Sequence, residues 1–202
     1  TSKEITPGEN LKASFLKWAD DDASFFILTN ELNPKYFDLY EVAAADYKKT
    51  LIYQNDTGLD ATDVSSDRRY IALSKSITRK KSEVHVHDRE TGKNRIVSPQ
   101  EGDVLRSPQG FTNDVSALRV LTDLGHEFKY LIEEDLNAGS HRVIEKREWD
   151  ISYADESKNG TYLKIGINED SRSTVLIHNL KSGTPVRLPE IDGATIASVT
   201  FL

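Results

Sequence analysis

The 202-residue sequence contains no cysteine, no methionine and no long apolar run. The absence of cysteine excludes disulfides and thiol chemistry, and it leaves the cytoplasm and the periplasm open as compartments for a soluble protein. The absence of methionine indicates that Thr1 is not the initiating residue. No segment approaches the ~20 apolar residues that span a bilayer, and the polar first residues do not resemble a signal peptide. No membrane association is therefore predicted.

Basic residues are also scarce. Lys and Arg number 26 against 33 Asp and Glu, which gives a formal net charge of −7. Phosphate contacts require clustered basic side chains, so nucleic acid is not a predicted partner. The one basic cluster, 79–81, is expected at a solvated loop tip. With 37% hydrophobic and 29% charged residues, the composition is typical of a globular domain that buries a core.

A turn with an acidic or amide residue, followed by a short alternating strand, recurs four times. The anchors are Asp22, Asp67, Asp114 and Asn159, at spacings of 45, 47 and 45 residues. Apolar pairs follow each anchor at the same offsets: Phe26 and Leu28, Ile71 and Leu73, Leu118 and Val120, Leu163 and Ile165. Since side chains alternate along a strand, each pair lies on one face. The pairs in the last three units are predicted to be buried between sheets.

In three units a second anchor follows the first at a nearly constant spacing. It consists of Asp88, Asp135 or Asn179 with a glycine four residues later, as expected where a hairpin reverses. The first unit is degenerate here and has the alanines 43–45. Four strands per unit follow, predicted in the second unit at 61–66, 69–76, 83–88 and 94–98, and in the fourth at 150–154, 161–168, 174–179 and 185–188.

Four short strands repeated about every 45 residues predict an all-β fold. The expected architecture is a β-propeller segment of about four four-stranded antiparallel blades. The predicted blades cover residues 14–56, 57–104, 105–148 and 149–195. No apolar face with a 3.6-residue period is long enough for a substantial helix. A β-sandwich is the alternative, but it does not explain the constant period.

Both ends of the chain resemble parts of neighbouring blades. The segment Ile5–Glu9 resembles Ile96–Gly102, which ends the second unit, and Ala197–Leu202 resembles the strand that opens each unit. The expectation is a piece of a longer propeller, or else a four-bladed ring closed by strand exchange. In either case unpaired strands and bare apolar faces favour self-association or closure.

The segments SSDRRYIAL, FTNDVSALRVLTD and SKNGTYLKIGIN are similar to the repeated S-P-D-G-K-Y-I motif of TolB-like and peptidase propellers. Their order resembles the propeller of bacterial prolyl oligopeptidase family serine peptidases, which include dipeptidyl aminopeptidases and acylaminoacyl peptidases. This resemblance implies a C-terminal α/β-hydrolase domain with a Ser-Asp-His triad as the partner, short peptides as substrates, and a propeller that shapes and gates the active-site cavity. The alternative is a TolB-like propeller that binds a protein partner and has no hydrolase domain.

No catalytic, cofactor-binding or metal-binding residue is predicted within this chain. It has no G-x-S-x-G elbow, no P-loop and no G-x-G-x-x-G. His85 and His87 could offer two metal ligands on one strand face, but no third ligand is evident. The acidic run 20–22 lacks calcium-loop spacing, and the sequons at Asn55 and Asn159 fit turns.

Two further pairs invite functional readings that the sequence does not support. Glu133 and Glu134 resemble the paired glutamates that grip a peptide amino terminus in dipeptidyl peptidases, but neighbouring strand residues point to opposite faces. Trp18 and Trp149 are expected to pack in or between blades rather than to serve as ligand platforms.

Overall fold

The computed structural model describes residues 4–6, 8–97, 102–189, 196 and 199–201. These residues form sixteen β-strands and no helix, so none of them lies in a helix that could cross a membrane. Some residues named in the strand and terminal predictions lie outside the described part: Pro7, Ser98, 99–101, 190–195, Ala197, Ser198 and Leu202.

The strands form four consecutive antiparallel sheets, called blades 1 to 4. Blade 1 contains β1 (Ala13–Trp18), β2 (Ser24–Thr29), β3 (Asp38–Ala43) and β4 (Lys49–Tyr53). Blade 2 contains β5 (Asp60–Val64), β6 (Tyr70–Thr78), β7 (Lys81–Asp88) and β8 (Lys93–Ile96). Blade 3 contains β9 (Arg106–Phe111), β10 (Ala117–Thr122), β11 (Tyr130–Asp135) and β12 (His141–Glu145). Blade 4 contains β13 (Asp150–Glu156), β14 (Tyr162–Glu169), β15 (Arg172–Asn179) and β16 (Thr184–Pro185).

Each blade is a simple meander whose strands lie side by side in chain order. The connections are short, as antiparallel hairpins require. The last strand of blade 4 differs most from its prediction, since β16 has two residues and begins one residue earlier than expected. Successive blades pack face to face, which confirms the all-β propeller segment.

The hydrophobic core of the described residues consists of four clusters: three lie between neighbouring blades, and the fourth packs Ile27, Tyr40 and Val42 of blade 1 beside Ile5. One cluster joins blades 1 and 2, a second joins blades 2 and 3, and a third joins blades 3 and 4. All the residues predicted to be buried between blades have 0% exposure, which confirms the register of these units: Ile71, Leu73, Leu118, Val120, Leu163 and Ile165. Each pair faces the preceding blade.

The turn between the first and second strand of each blade repeats one hydrogen-bonding pattern. In blades 2 to 4 a hydroxyl donates to the Asx anchor: Ser65 to Asp67, Thr112 to Asp114 and Ser157 to Asn159. The hydroxyls of Thr112 and Ser116 hold the pKa of Asp114 below its ordinary value. The residue after each anchor has a positive φ, and Gly160 (66°) takes it without strain.

The register predicted for the first unit was wrong by one residue. Asp21 accepts the Ala23 amide at 3.0 Å, and Asp22 is the residue with positive φ (56°), so Asp21 is the anchor of blade 1. Because side chains alternate, this shift exchanges the two faces of β2. Phe26 therefore packs toward blade 2, whereas Phe25 and Ile27 occupy the positions equivalent to the buried pairs of the other blades.

The degenerate second anchor of blade 1 still forms the expected turn. The Tyr47 amide donates to the Ala43 carbonyl at 2.9 Å, as the Gly92 amide donates to Asp88 at 2.8 Å in blade 2. Tyr47 has a φ of 61°, close to the 69° of Gly92. The backbone geometry is kept although neither the Asx residue nor the glycine is present.

Candidate functional site: the central channel

The first strands of the four blades lie around a common cavity. Contacts run from β1 to β5, from β5 to β9 and from β9 to β13, so these strands are the innermost of the propeller. Together with the turns that follow them, they line a cavity of 610 Å³. This volume is within the range of sites that hold small ligands. The cavity is the candidate functional site, and we call it the channel.

Every channel-lining strand contains a β-bulge. The strand pairing skips one residue in each first strand: Leu16, Thr62, Gln109 and Ser152. A bulge bends its strand and changes the direction of the side chain beside it. This recurring irregularity turns polar side chains from one first strand toward the next.

Those polar side chains connect the first strands of neighbouring blades. Lys17 in blade 1 donates to Asp63 Oδ1 in blade 2 at 3.0 Å. Asp63 Oδ2 accepts the Phe111 amide of blade 3 at 2.9 Å, beside Gly110, where a Cβ would lie 3.2 Å from the same oxygen. Gln109 Oε1 accepts the Ala154 amide of blade 4 at 3.0 Å. These bonds satisfy backbone amides that would otherwise face the channel without partners.

An ionic network lies between blades 3 and 4 at the channel wall. Arg119 of β10 contacts Glu133 Oε1 at 3.1 Å and Glu156 Oε2 of blade 4 at 2.6 Å. All three side chains are almost fully buried. Arg142, on the outer strand, holds the second oxygen of Glu133 at 2.5 Å and is itself largely exposed. We call these four residues the Arg119 network.

The channel lining is more acidic than basic. Among the described residues that line it are five carboxylates and three cationic side chains. Lys158 of blade 4 contacts Asp22 of blade 1 at 2.7 Å and so links the first and last blades beside the channel. Asp20 is exposed and makes no hydrogen bond or ion pair with another described residue. Because Lys164 also pairs with Asp155 at 3.0 Å, Asp20 is the one lining carboxylate without an ion-pair partner among the described residues.

Glu133 and Glu134 point to opposite faces of β11, as the sequence predicts. Glu133 belongs to the Arg119 network, whereas Glu134 pairs with the buried Arg106 toward blade 2. Arg106 also donates to the Val97 carbonyl of blade 2 at 3.1 Å. Glu133 pairs with Arg119 and Arg142, Glu134 pairs with Arg106, and the two glutamates do not converge on one point.

The other residues singled out in the sequence have structural partners. His85 Nε2 lies 3.1 Å from Glu83, and His87 Nδ1 lies 2.6 Å from the Asn94 side chain. The described residues contain no group of three metal-ligating side chains. Asn55 and Asn159 lie in turns, and the buried Asn55 side chain accepts the Gly58 and Leu59 amides.

The two tryptophans are more exposed than predicted. Trp18 is 51% exposed and lies at the channel edge, with its ring centre 5.2 Å from that of Phe25. Trp149 is 37% exposed and contacts Phe128 at 6.0 Å. Both rings thus pack against neighbouring aromatic side chains while keeping a large exposed surface.

Sequence reasoning missed the bulges and the Arg119 network. A signal was available for the network, because Arg119 interrupts the apolar run of β10 and charged residues are almost never fully buried without a partner. Its partner Glu156 is distant in sequence and could not be named. The bulges leave no clear residue signature, since the four bulged positions hold four different residue types.

Comparison with solved structures shows the β-propeller fold of TolB and of prolyl oligopeptidase-type peptidases. TolB from Acinetobacter baumannii is 16% identical with a TM-score of 0.67 over 86% of this chain. A puromycin-hydrolyzing peptidase from Mycobacterium tuberculosis is 12% identical with a TM-score of 0.66 over 91% of the chain. Prolyl oligopeptidase B from Galerina marginata is 17% identical with a TM-score of 0.60 over 86%.

This chain spans less than half the length of each of these proteins: 42%, 30% and 26% respectively. No protein-family profile and no curated protein sequence matches it. At these identities the likeness is one of fold.

Proposed function

We propose that this chain is the non-catalytic propeller part of a serine peptidase that hydrolyses short peptides. In this role the channel shapes the approach to an active site on a separate α/β-hydrolase domain. The observation that carries the proposal is the 610 Å³ channel, which is bounded by the innermost strands of all four blades. The resemblance of segment order to prolyl oligopeptidase family propellers supports it, as does the fold shared with such peptidases.

The wall of the channel suits a filter that admits flexible, extended chains. Neighbouring first strands are joined by the hydrogen bonds to Asp63 and Gln109 and by the Arg119 network. These contacts fix the width of the channel. The exposed carboxylate of Asp20, which has no ion-pair partner among the described residues, attracts the protonated amino terminus of a short peptide. A folded protein has no comparable narrow end to insert.

The alternative function is that of a TolB-like propeller that binds a protein partner. It is favoured by the TM-score of 0.67 to TolB from Acinetobacter baumannii. On this alternative the channel and its rim bind a segment of the partner, and no hydrolase domain is attached.

The gene sequence downstream of the Leu202 codon distinguishes the two functions. A serine peptidase requires a G-x-S-x-G elbow followed in order by Asp and His. The 202-residue chain itself, incubated with chromogenic dipeptides and a fluorophosphonate probe, is expected to show neither hydrolysis nor serine labelling. The longer protein is expected to be labelled at one serine. Labelling of the 202-residue chain, or a downstream sequence without the elbow, would overturn the peptidase proposal.

A further inference from the structure

One ion pair of the channel differs from the others because both of its side chains are exposed. The Lys158 ammonium lies 2.7 Å from Asp22 Oδ2, and the two side chains are 56% and 71% exposed. Each other ion pair of a lining carboxylate has at least one partner that is largely buried: Asp63 with Lys17, Asp155 with Lys164 and Glu156 with Arg119. An ion pair between exposed side chains contributes little free energy, so the charges of a ligand can replace it.

The backbone beneath this ion pair is held in place although the two side chains are exposed. The Lys158 carbonyl accepts a hydrogen bond from Asn113 Nδ2 of blade 3 at 2.9 Å. The Asp22 amide donates to the Ala19 carbonyl at 3.0 Å within the turn of blade 1. The ammonium group of a lysine, by contrast, is a point charge on a flexible stem. Exchange of Asp22 for another anion therefore requires rotation of the Lys158 side chain and no change of the fold.

The ion pair borders a cavity that has room for a short peptide. The channel has a volume of 610 Å³, and Lys158, Asp22 and Asp20 all line it. Asp20 has no ion-pair partner among the described residues and lies on the same turn of blade 1 as Asp22. Extended residues span at most ~3.6 Å each, so the charged ends of a tripeptide lie within about 11 Å of each other. One ammonium group and two carboxylates are thus available to the two ends of such a ligand.

We propose that the channel binds short peptides whose amino and carboxyl termini are both free, and that Lys158 selects the carboxyl terminus. This inference rests on the proposed function, because it specifies which peptides such a propeller admits. On binding, the Lys158 ammonium leaves Asp22 and pairs with the terminal carboxylate of the peptide. Asp22, with Asp20 on the same turn, pairs with the protonated amino terminus. One ion pair is broken and two are formed, and no proton is transferred.

A peptide with a blocked terminus does not complete this exchange. An amidated carboxyl terminus offers Lys158 no anion, so Asp22 stays paired and is not released to the amino terminus. An acetylated amino terminus leaves Asp22 without a cation once Lys158 has moved. We therefore expect a free tripeptide to bind about tenfold more tightly than its amidated or its acetylated form, because each blocked form loses one charged contact.

Titration of the 202-residue chain with the alanine tripeptide in its free, amidated and acetylated forms, followed by NMR chemical shifts, tests the inference. Lys158→Gln should weaken binding of the free tripeptide by about tenfold and should not weaken binding of the amidated form. A purely structural role of the ion pair, which links blades 1 and 4, would instead weaken both forms equally. Lys181→Gln is the matched control, since Lys181 is an exposed lysine of blade 4 outside the channel lining. Circular dichroism establishes that each variant is folded.

Three results would overturn the inference: no binding of the free tripeptide, equal affinity for the free and amidated forms, or equal weakening of both forms by Lys158→Gln. None of them would overturn the proposed function if the downstream sequence encodes the G-x-S-x-G elbow, since a peptidase propeller need not read the ends of its substrates. A downstream sequence without the elbow would overturn the peptidase proposal whatever the peptide affinities, so the two failures are distinguishable.

Discussion

The contact between blades 2 and 3 and the contact between blades 3 and 4 use the same strand positions with opposite chemistry. In the first, Ala72 and Val86 of blade 2 pack beside Phe111 of blade 3 in an apolar cluster. In the second, the equivalent positions hold the Arg119 network: Arg119 in place of Ala72, Glu133 in place of Val86 and Glu156 in place of Phe111.

The difference shows that one backbone geometry accepts two ways of joining blades. The apolar contact is favoured by removing side chains from water and tolerates small changes of shape. The ionic contact must recover the cost of desolvating three charges, which it does only when every partner is in place. The second contact is therefore the more specific, without being the more stable.

The largest effect is expected when the positive charge of Arg119 is removed from the contact between blades 3 and 4. Arg119→Met removes the arginine partner of the buried Glu156 and one of the two arginine partners of Glu133, and we expect a loss of ~3–5 kcal/mol in the free energy of unfolding. Urea denaturation followed by circular dichroism measures the change. Arg142→Met is the control, and since Arg142 is largely exposed, its loss should cost under ~1 kcal/mol. Equal losses in the two variants would show that burial of the Arg119 network does not determine the change in the free energy of unfolding.

Truncation of an apolar residue should cost nearly as much at either contact. Leu118 faces blade 2 and Leu163 faces blade 3, and both are completely buried. We expect Leu118→Ala and Leu163→Ala each to lower the free energy of unfolding by ~2–5 kcal/mol, because each leaves a cavity. Leu32→Ala, at an exposed position, serves as the reference. An unchanged melting temperature for either buried variant would contradict the assigned register.

Conversion of the ionic contact to an apolar one should be harmless. The combined change Arg119→Met, Glu133→Leu and Glu156→Leu replaces three buried charges by side chains of similar volume. We expect unchanged stability or a gain of up to ~4 kcal/mol. Comparison with the three single variants gives the coupling within the network. A combined loss as large as that of Arg119→Met alone would mean that the network contributes net stability to the blade 3–blade 4 contact.

The smallest effect concerns acid stability in blade 2. A hydrogen bond from Arg69 lowers the pKa of Asp88 from 3.8 to about 2. Because the folded state lowers this pKa, the contribution is present above the unfolded value and is lost as pH falls from about 4 through about 2. Asp88→Asn should flatten this part of the pH dependence of the melting temperature. Asp135→Asn in blade 3 is a useful comparison, since the pKa of Asp135 is lowered by backbone amides rather than by an arginine. If the melting temperature of Asp88→Asn fell at acidic pH as steeply as that of the unsubstituted protein, this account would be contradicted.

Sequence periodicity located most of the fold because local features recur. Asp67, Asp114 and Asn159 cap the same turn, and the pairs that follow them are buried as predicted. The same reasoning misplaced blade 1, where three successive aspartates made Asp22 as plausible an anchor as Asp21. A shift of one residue exchanges the faces of a strand, so a small local ambiguity became a wrong assignment for Phe26.

The sequence by itself determined the all-β class, the four-strand units and the turns, since these depend on alternation and on short-range Asx and glycine geometry. Only the tertiary structure decided how blades meet. It joined Arg119 to Glu156 and Asp63 to Phe111, and it gathered four first strands around the channel. It also placed residues 199–201 against the outer face of blade 4. Such contacts join residues far apart in the chain. Their energy depends on how deeply the side chains are buried, which a local sequence pattern does not show.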